Sequence, residues 1–403
     1  MIDSAAATRL VLQYAQPGET ENVPLAQALG RTLATAVVCD MDYPPFDRAM
    51  MDGFAVRAQD ATTPGAQLRI LGSVAAGSRA PTPLGAGQAY QINTGAPMPD
   101  GADAVVPVEV VEVAPNGETV TLQIATTLGK HIAPQASCVK AGSVVLDSGL
   151  RMEPAEIATA AAAGAAQVEV FARPTVGVLA TGDELVPIDC KPEQAQIRNS
   201  NTCMLEALVR RAGGEPVDLG IAGDSGDALR EAIRRGLQYD ALCITGGISM
   251  GEYDLVPGVL DELGCTVRFK KVAIKPGKPT LFATSETGGH VFGLPGNPIG
   301  ALVAFLLFVE PALRIRQGEK PGGRRLMRAV IESPMPPVGD RESYWPAVVR
   351  ADHDGDLRAK PLSWRGSGDP FGVAGANGLV VRPAHARALA SGDAVKVIVL
   401  HGI

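Results

Sequence analysis

Apolar and polar positions fall into three successive rhythms along the chain. In the first, Ala7, Leu10, Val11 and Tyr14 recur at three- and four-residue steps, which predicts a short helix capped by Asp3 or Ser4 and ended by Pro17-Gly18. From Gly53 to about Ile132 the apolar stretches shorten to Leu68 to Leu71, Ala89 to Ile92, Ala104 to Val113 and Thr119 to Ile124, with Gly and Pro between them. That pattern predicts a small β domain. Pro154 opens an Ala-rich helix to about Ala163, and Val168 to Phe171 leads out of it. After Pro174 strands alternate with helices. Strands are expected at Val176 to Leu179, Val217 to Gly220 and Ala241 to Ile244, with helices near Cys203 to Ala212, Ala228 to Leu237 and Leu255 to Leu263. Further strands at Lys271 to Ile274, Thr280 to Ala283 and Val291 to Leu294 precede a helix from Asn297 to Arg316. This alternation argues for a three-layer α/β/α domain with a mostly parallel sheet. Beyond it, Ala329 to Ile331, Ala347 to Val349, Leu379 to Val381 and Ala394 to Leu400 predict a compact C-terminal β domain, resembling a barrel. Arg314 to Arg328, with six basic residues around Pro-Gly-Gly, reads as a solvated linker.

The 403 residues are enough for two to four domains. A composition of 46% hydrophobic, 20% charged and 4% aromatic residues, with a net charge of -7, argues against a nucleic-acid platform, which needs a basic face and stacking rings. Any phosphate contact is then local. Six cysteines (Cys39, Cys138, Cys190, Cys203, Cys243 and Cys265) form no C-x-x-C pair and predict reduced thiols of a cytoplasmic protein. No membrane insertion is expected, because the longest apolar helix candidate, Ala301 to Val309, meets Glu310 and Pro311.

Three strand ends carry glycine loops: Leu179-Ala-Thr-Gly-Asp-Glu184, Ile244-Thr-Gly-Gly-Ile-Ser-Met-Gly251, and Gly293-Leu-Pro-Gly-Asn-Pro298. In a parallel sheet all three open at one edge and can surround one ligand, with the helix after Asn297 aiming its positive end inward. Taken singly, each is equally an ordinary turn that needs Gly for positive φ. Their shared edge points to an anionic, phosphorylated ligand. The spacing fits neither a dinucleotide fingerprint nor a P-loop. Lys275 and Lys278 flank Pro276-Gly277, a stiff turn that suits a compact oxyanion, or simply two surface lysines. Asp183, Glu184, Asp224 and Asp254 sit at or after strand ends, where carboxylates hold Mg²⁺ or cap helices. No Ser-His-Asp or histidine-metal grouping emerges. Pro44 to Phe54 and Ile92 to Val106 are loops dense in Pro, Gly and Asp, structural when read alone.

Those two segments, together with the T-G-D-E, T-G-G-x-S-x-G-x-x-D, K-P-G-K-P and P-G-N-P loops, resemble the molybdopterin molybdenumtransferase family, which includes the C-terminal domain of gephyrin. The motifs run in the same order over nearly the whole chain and weaken after about residue 330. The resemblance implies an elongated homodimer that inserts molybdenum from molybdate into adenylylated molybdopterin and releases AMP, with Mg²⁺. It also implies four domains: residues 1–52 with 133–173, 53–132, 174–322 as the molybdopterin-binding α/β domain, and 323–403. Carried over by motif, Asp52 is the acid that reaches the partner's cleft, Glu184 and Asp224 are cleft acids, and Asp254 is the metal-holding aspartate. Lys275 and Lys278 are the paired lysines. Thr94 and Gly95 belong to the T-G-A-P loop, and Thr181, Gly182, Asp183, Thr245, Gly246, Gly247, Ser249 and Gly251 to the strand-end loops. Pro295, Gly296, Asn297 and Pro298 form P-G-N-P, and Ser367 stands in a G-S-H-type loop.

The chain also departs from the family pattern. Ala49 stands where S-A-M-D-G has its serine, Cys138 falls in place of an R-R-x-G-x-D run, Gly300 replaces a serine, and Pro346 replaces an arginine after Arg341. The loop after Gly366 reads Ser367-Gly368-Asp369. These losses motivate an alternative: a noncatalytic paralogue that binds molybdopterin as a carrier or scaffold. A third reading is an adenylyltransferase or pyrophosphatase acting on another substrate.

Overall fold

A computed structural model describes residues 1–248, 255–320 and 326–402, and the chain divides into two compact units. One holds Met1–Asn22, Gly30–Ala34 and Glu169–Ile403, and the other Val23–Leu29 and Thr35–Val168.

In the first unit, the rhythm after Pro174 folds as an α/β layer structure. Its six-stranded sheet runs in the order Glu215–Ala222, Thr175–Thr181, Ala241–Thr245, His290–Leu294, Leu281–Thr284, Thr266–Phe269. The first four strands are parallel, Leu281–Thr284 runs antiparallel to them, and Thr266–Phe269 runs antiparallel to Leu281–Thr284. Alternate residues face opposite layers, as strand geometry demands. Val176, Val178, Cys243 and Phe292 pack on one side with Leu205, Val209 and Phe308, while Leu179, Leu242, Ile244 and Val291 pack on the other with Leu229, Ile233 and Leu260. Each such large apolar side chain contributes about 1.5–3 kcal/mol on burial. From Thr175–Thr181 the chain steps outward to Glu215–Ala222 and then crosses back to Ala241–Thr245, so the strand order reverses between Thr181 and Thr245. The crevice at such a reversal is where open α/β sheets place ligands.

Three expectations for this unit need correction. Lys271 to Ile274 is not a strand of the α/β sheet. Thr266–Phe269 takes the edge, and Ile274–Lys275 pairs instead with Glu342 and Ser343 of the C-terminal sheet. The helix expected from Asn297 to Arg316 is found from Pro298 to Arg316, but Glu310 and Pro311 do not cut its apolar stretch, which passes into them through a π segment, Phe305–Val309. Pro311 lacks the N–H that would bond Leu307, and the Thr8 hydroxyl lies 3.5 Å from that freed carbonyl. This helix is long and apolar enough to cross a membrane by length and composition, yet most of it is packed inside the core. Finally, Arg314 and Arg316 are not linker residues: they end this helix and pair with Glu310 and Asp240.

Within the same unit, Met327–Ile331, Glu342–Ala351, Leu357–Pro361, Gly378–Arg382 and Ala394–Val399 form a closed five-stranded barrel. Closure comes from Glu342–Ala351, which bonds both Leu357–Pro361 and Gly378–Arg382. Near the N-terminus, Asp3 caps Ser4–Tyr14 by accepting from the Ala6 N–H at 2.6 Å.

The second unit is built on a six-stranded sheet ordered Ala104–Pro107, Gly53–Val56, Gln88–Ile92, Gln67–Val74, Thr119–Leu122, Val111–Val113. The run from Ala104 to Val113 therefore supplies both edges, because a 3₁₀ turn at Val108–Val110 divides it after Pro107. Gly53–Val56, read from sequence as the end of a loop, is an inner strand with every residue buried. A Cβ on Gly53 would overlap the Val106 carbonyl, so only glycine lets these strands meet.

Candidate functional site

The reversal point opens into a cleft of about 1020 Å³. Thr181, Gly182, Glu184, Asp224, Thr245, Gly246, Gly247, Pro295, Gly296, Asn297 and Pro298 all border it, so the three glycine loops share one hollow. Gly246 has φ 94°, and a Cβ there would collide with the Thr181 carbonyl, so adjacent strand ends close in a way a side chain would prevent. Asp183 does not line the cleft. Its Oδ1 accepts from the Asp224 N–H at 3.1 Å and fastens the loop that presents Asp224. Ser249, Gly251 and Asp254 lie outside the described residues.

A residue not singled out from sequence holds the floor together. Asn201, on the first turn of Ser200–Arg211, donates from Nδ2 to the Thr245 hydroxyl at 2.8 Å and to the Gly296 carbonyl at 2.7 Å. Asn199 caps that helix by accepting from the Thr202 N–H at 3.2 Å. The signal was present as Arg198-Asn-Ser-Asn201 ahead of an apolar periodicity, a helix start with more amides than a cap needs. At this floor Thr181 Oγ1 and Asn201 Oδ1 are buried with no hydrogen-bond partner among the described residues. Such atoms are uncommon in folded proteins, and both are free to take a partner at the floor of the cleft.

Beside the cleft lies a second hollow of about 400 Å³, and both include Pro279, Pro295 and Asn297 in their walls. Lys275 and Lys278 stand on its rim, exposed, while Pro276 and Gly277 between them are buried. Neither lysine has an ion-pair partner among the described residues. Ser367 joins this wall: its hydroxyl accepts from Asn297 Nδ2 at 3.0 Å, leaving its proton for another acceptor. Arg341, passed over in the sequence, lines the same hollow and donates from Nη1 to the Ile274 carbonyl at 3.3 Å. Its position follows from the pairing of Ile274 with Glu342, which no local pattern announces.

Asp52, Thr94 and Gly95 come together in the second unit. Asp52 Oδ1 accepts from the Thr94 N–H at 2.8 Å and faces Asn93 Nδ2 at 3.4 Å, and Gly95 N–H donates to Ala49 at 2.8 Å. The Thr94 N–H is the main cause holding the exposed Asp52 carboxyl below the usual range, partial desolvation opposing it.

The departures have local structural settings. Ala49 is buried among Ala55, Tyr90 and Ala96, an apolar surround with little use for a hydroxyl. Cys138 is an exposed free thiol. A Cβ on Gly300 would come within 3.0 Å of Pro295. Pro346 is buried in the barrel, its carbonyl accepting from Leu362 at 2.9 Å, while Arg341 five residues earlier supplies a guanidinium to the lysine hollow.

Comparison with known proteins accounts for this arrangement. Three family models match in succession: the MoeA N-terminal region (domain I and II) at residues 2–164, a probable molybdopterin binding domain at 177–315, and the MoeA C-terminal region (domain IV) at 328–400. A molybdopterin molybdenumtransferase of Bacillus subtilis is 34% identical across 98% of this chain and 93% of its own length. One from a Nostoc species is 35% identical across 95% of this chain and 89% of its own. The crystal structure of a molybdopterin biosynthesis MoeA protein from Pyrococcus horikosii superposes with a TM-score of 0.86 at 32% identity, covering 100% of both chains. With relatives this similar over nearly its full length, the chain belongs to the molybdopterin molybdenumtransferase family, transferases of molybdenum cofactor biosynthesis.

Proposed function

We propose that this protein inserts molybdenum from molybdate into adenylylated molybdopterin and releases AMP. The observation that carries the reading is the junction of two hollows, a cleft large enough for a nucleotide-linked pterin and a lysine-rimmed pocket that shares Pro279, Pro295 and Asn297 with it. The lysine pair and Arg341 hold the oxyanion, and the Ser367 hydroxyl donates to it. Backbone N–H groups of the glycine loops and the amino end of the helix from Pro298 face the phosphates. Glu184 and Asp224 offer the hard oxygen donors that suit Mg²⁺, which would supply charge neutralisation to the pyrophosphate. Asp254 joins that set by resemblance. Glu184 orients substrate or water, and preorganised charge contributes most of the rate, as in other phosphate-bond cleavages.

Activity in this proposal requires a homodimer in which Asp52, with Thr94 and Gly95, completes the partner's cleft. Six free cysteines support a reducing compartment, the cytoplasm. The deciding experiment supplies purified protein with adenylylated molybdopterin, molybdate and Mg²⁺ and measures AMP by chromatography. Molybdate-dependent AMP release is expected, and Lys275→Ala with Lys278→Ala should abolish it. Tight pterin binding without AMP release would instead favour the carrier or scaffold, the reading motivated by Ala49, Cys138, Gly300 and Pro346.

A further inference from the structure

Phe371 is 84% exposed, more than any other large hydrophobic residue among those described, and it stands at the wall of the strand-end cleft beside Gly368 and Pro370. Its backbone is fastened from both sides. The Asp369 carboxylate accepts from the N–H groups of Arg365, Phe371 and Gly372 at 3.0, 3.1 and 3.2 Å, and Ala374 N–H returns to the Phe371 carbonyl at 3.1 Å. Gly372 is buried against Trp364, and Val373 packs on the core, so the turn Pro370–Val373 is held while the ring is left outside. A loop phenylalanine with no fixed backbone would be unremarked surface. Here the ring is prearranged in the mouth of a cleft whose wall has no other aromatic side chain among the described residues.

We propose that Phe371 is the stacking residue for the planar heteroaromatic ring of the cleft's ligand. This rests on the reading of the cleft as a nucleotide and pterin site. An aromatic face covers a flat ring with little entropy loss and requires no particular pattern of ring substituents. Stacking would therefore position the ring end of the ligand while polar groups at the cleft floor select its phosphate end. Adenine and pterin share the chemistry, and the experiment separates them.

Full-length wild type, Phe371→Ala, Phe371→Leu and Phe371→Trp are titrated calorimetrically with AMP, a pterin monophosphate and ribose 5-phosphate. Phe371→Ala is expected to bind one of the two ring ligands about 5- to 150-fold more weakly, the span of one stacked base, with ribose 5-phosphate unchanged. Phe371→Leu should fall between, and Phe371→Trp should retain affinity with indole fluorescence quenched by the ring it covers. Thermal melts unchanged from wild type confirm that the loss is local, as the ring's exposure implies. The inference is overturned if Phe371→Ala binds both ring ligands within twofold of wild type, or loses ribose 5-phosphate equally. Folded wild type that binds neither ring ligand removes the reading of the cleft itself, and this inference with it.

Discussion

The Asn201 amide is hydrogen-bonded to the Thr245 hydroxyl at 2.8 Å, joining the first turn of a helix to the end of a strand 44 positions later. Thr245 in turn donates to the Pro295 carbonyl at 3.2 Å, so one chain of bonds links the helix to two of the three glycine loops of the cleft. Asn201→Ala should cost about 1–3 kcal/mol, the usual penalty for opening a buried hydrogen bond. Asn201→Asp should cost more, since it sets a buried negative charge against the Gly296 carbonyl oxygen that Nδ2 now reaches at 2.7 Å. Urea denaturation of the two variants checks the order, and equal midpoints with wild type would show that the chain of bonds carries no stability.

Arg341 gives a test of how the lysine hollow tolerates Pro346. Arg341→Gln removes the charge but keeps an amide donor near the Ile274 carbonyl, so folding should change little. The molybdate concentration for half-maximal AMP release should rise about tenfold, the effect of roughly 1.4 kcal/mol of lost charge-assisted contact. Arg341→Lys should lie between, because an ammonium lacks the planar fork. A molybdate response that Arg341→Gln leaves unmoved would confine Arg341 to bracing Ile274.

The contrast between these two residues and the glycine loops shows what a sequence displays. Gly182, Gly246 and Gly247 were legible because positive φ is a local demand, and one residue type answers it. The α/β unit was legible because its strands and helices each carry their own period. Asn201 and Arg341 act through partners far away in the chain, Gly296 and Ile274, and nothing within a window of neighbours announces such pairings. The misplacement of Lys271 to Ile274 has the same origin: an extended apolar segment is compatible with either sheet, and Glu342 decides. Gly53–Val56 was hidden by its length, four residues that begin directly after a turn.

Asp52 separates charge from scaffold. Asp52→Asn keeps a side-chain oxygen to accept from the Thr94 N–H, now at 2.8 Å, so the melting temperature should not move. AMP release should drop at least about tenfold if the negative charge acts on substrate. Because the Thr94 N–H favours the ionised form, that charge persists to lower pH than in an unperturbed aspartate and is lost only as pH falls through the depressed value. Any acid limb that the activity profile shows above the ordinary aspartate range should thus be the same in wild type and in whatever activity Asp52→Asn retains. A limb that vanishes with the substitution would contradict the assignment.

His290 makes stability itself pH-dependent. It begins an inner strand, buried, with Nε2 facing the Tyr14 carbonyl at 3.2 Å and Nδ1 unpartnered among the described residues. Burial pushes its pKa below the ordinary 6.5. The Tyr14 carbonyl opposes that shift, the Arg316 guanidinium adds to it, and Asp240 opposes it. The unfolded chain therefore takes up a proton near pH 6.5 while the folded chain does not, so stability is fully present above that pH and declines as pH falls toward the depressed value. The decline is at most about 1.4 kcal/mol per pH unit for one such group. In His290→Phe, a ring set beside Phe282 and Phe292 without a titrating nitrogen, this component should disappear. Urea midpoints between pH 7.5 and 5.5 should fall more steeply for wild type than for the variant, and parallel slopes would assign the acid sensitivity to carboxylates instead.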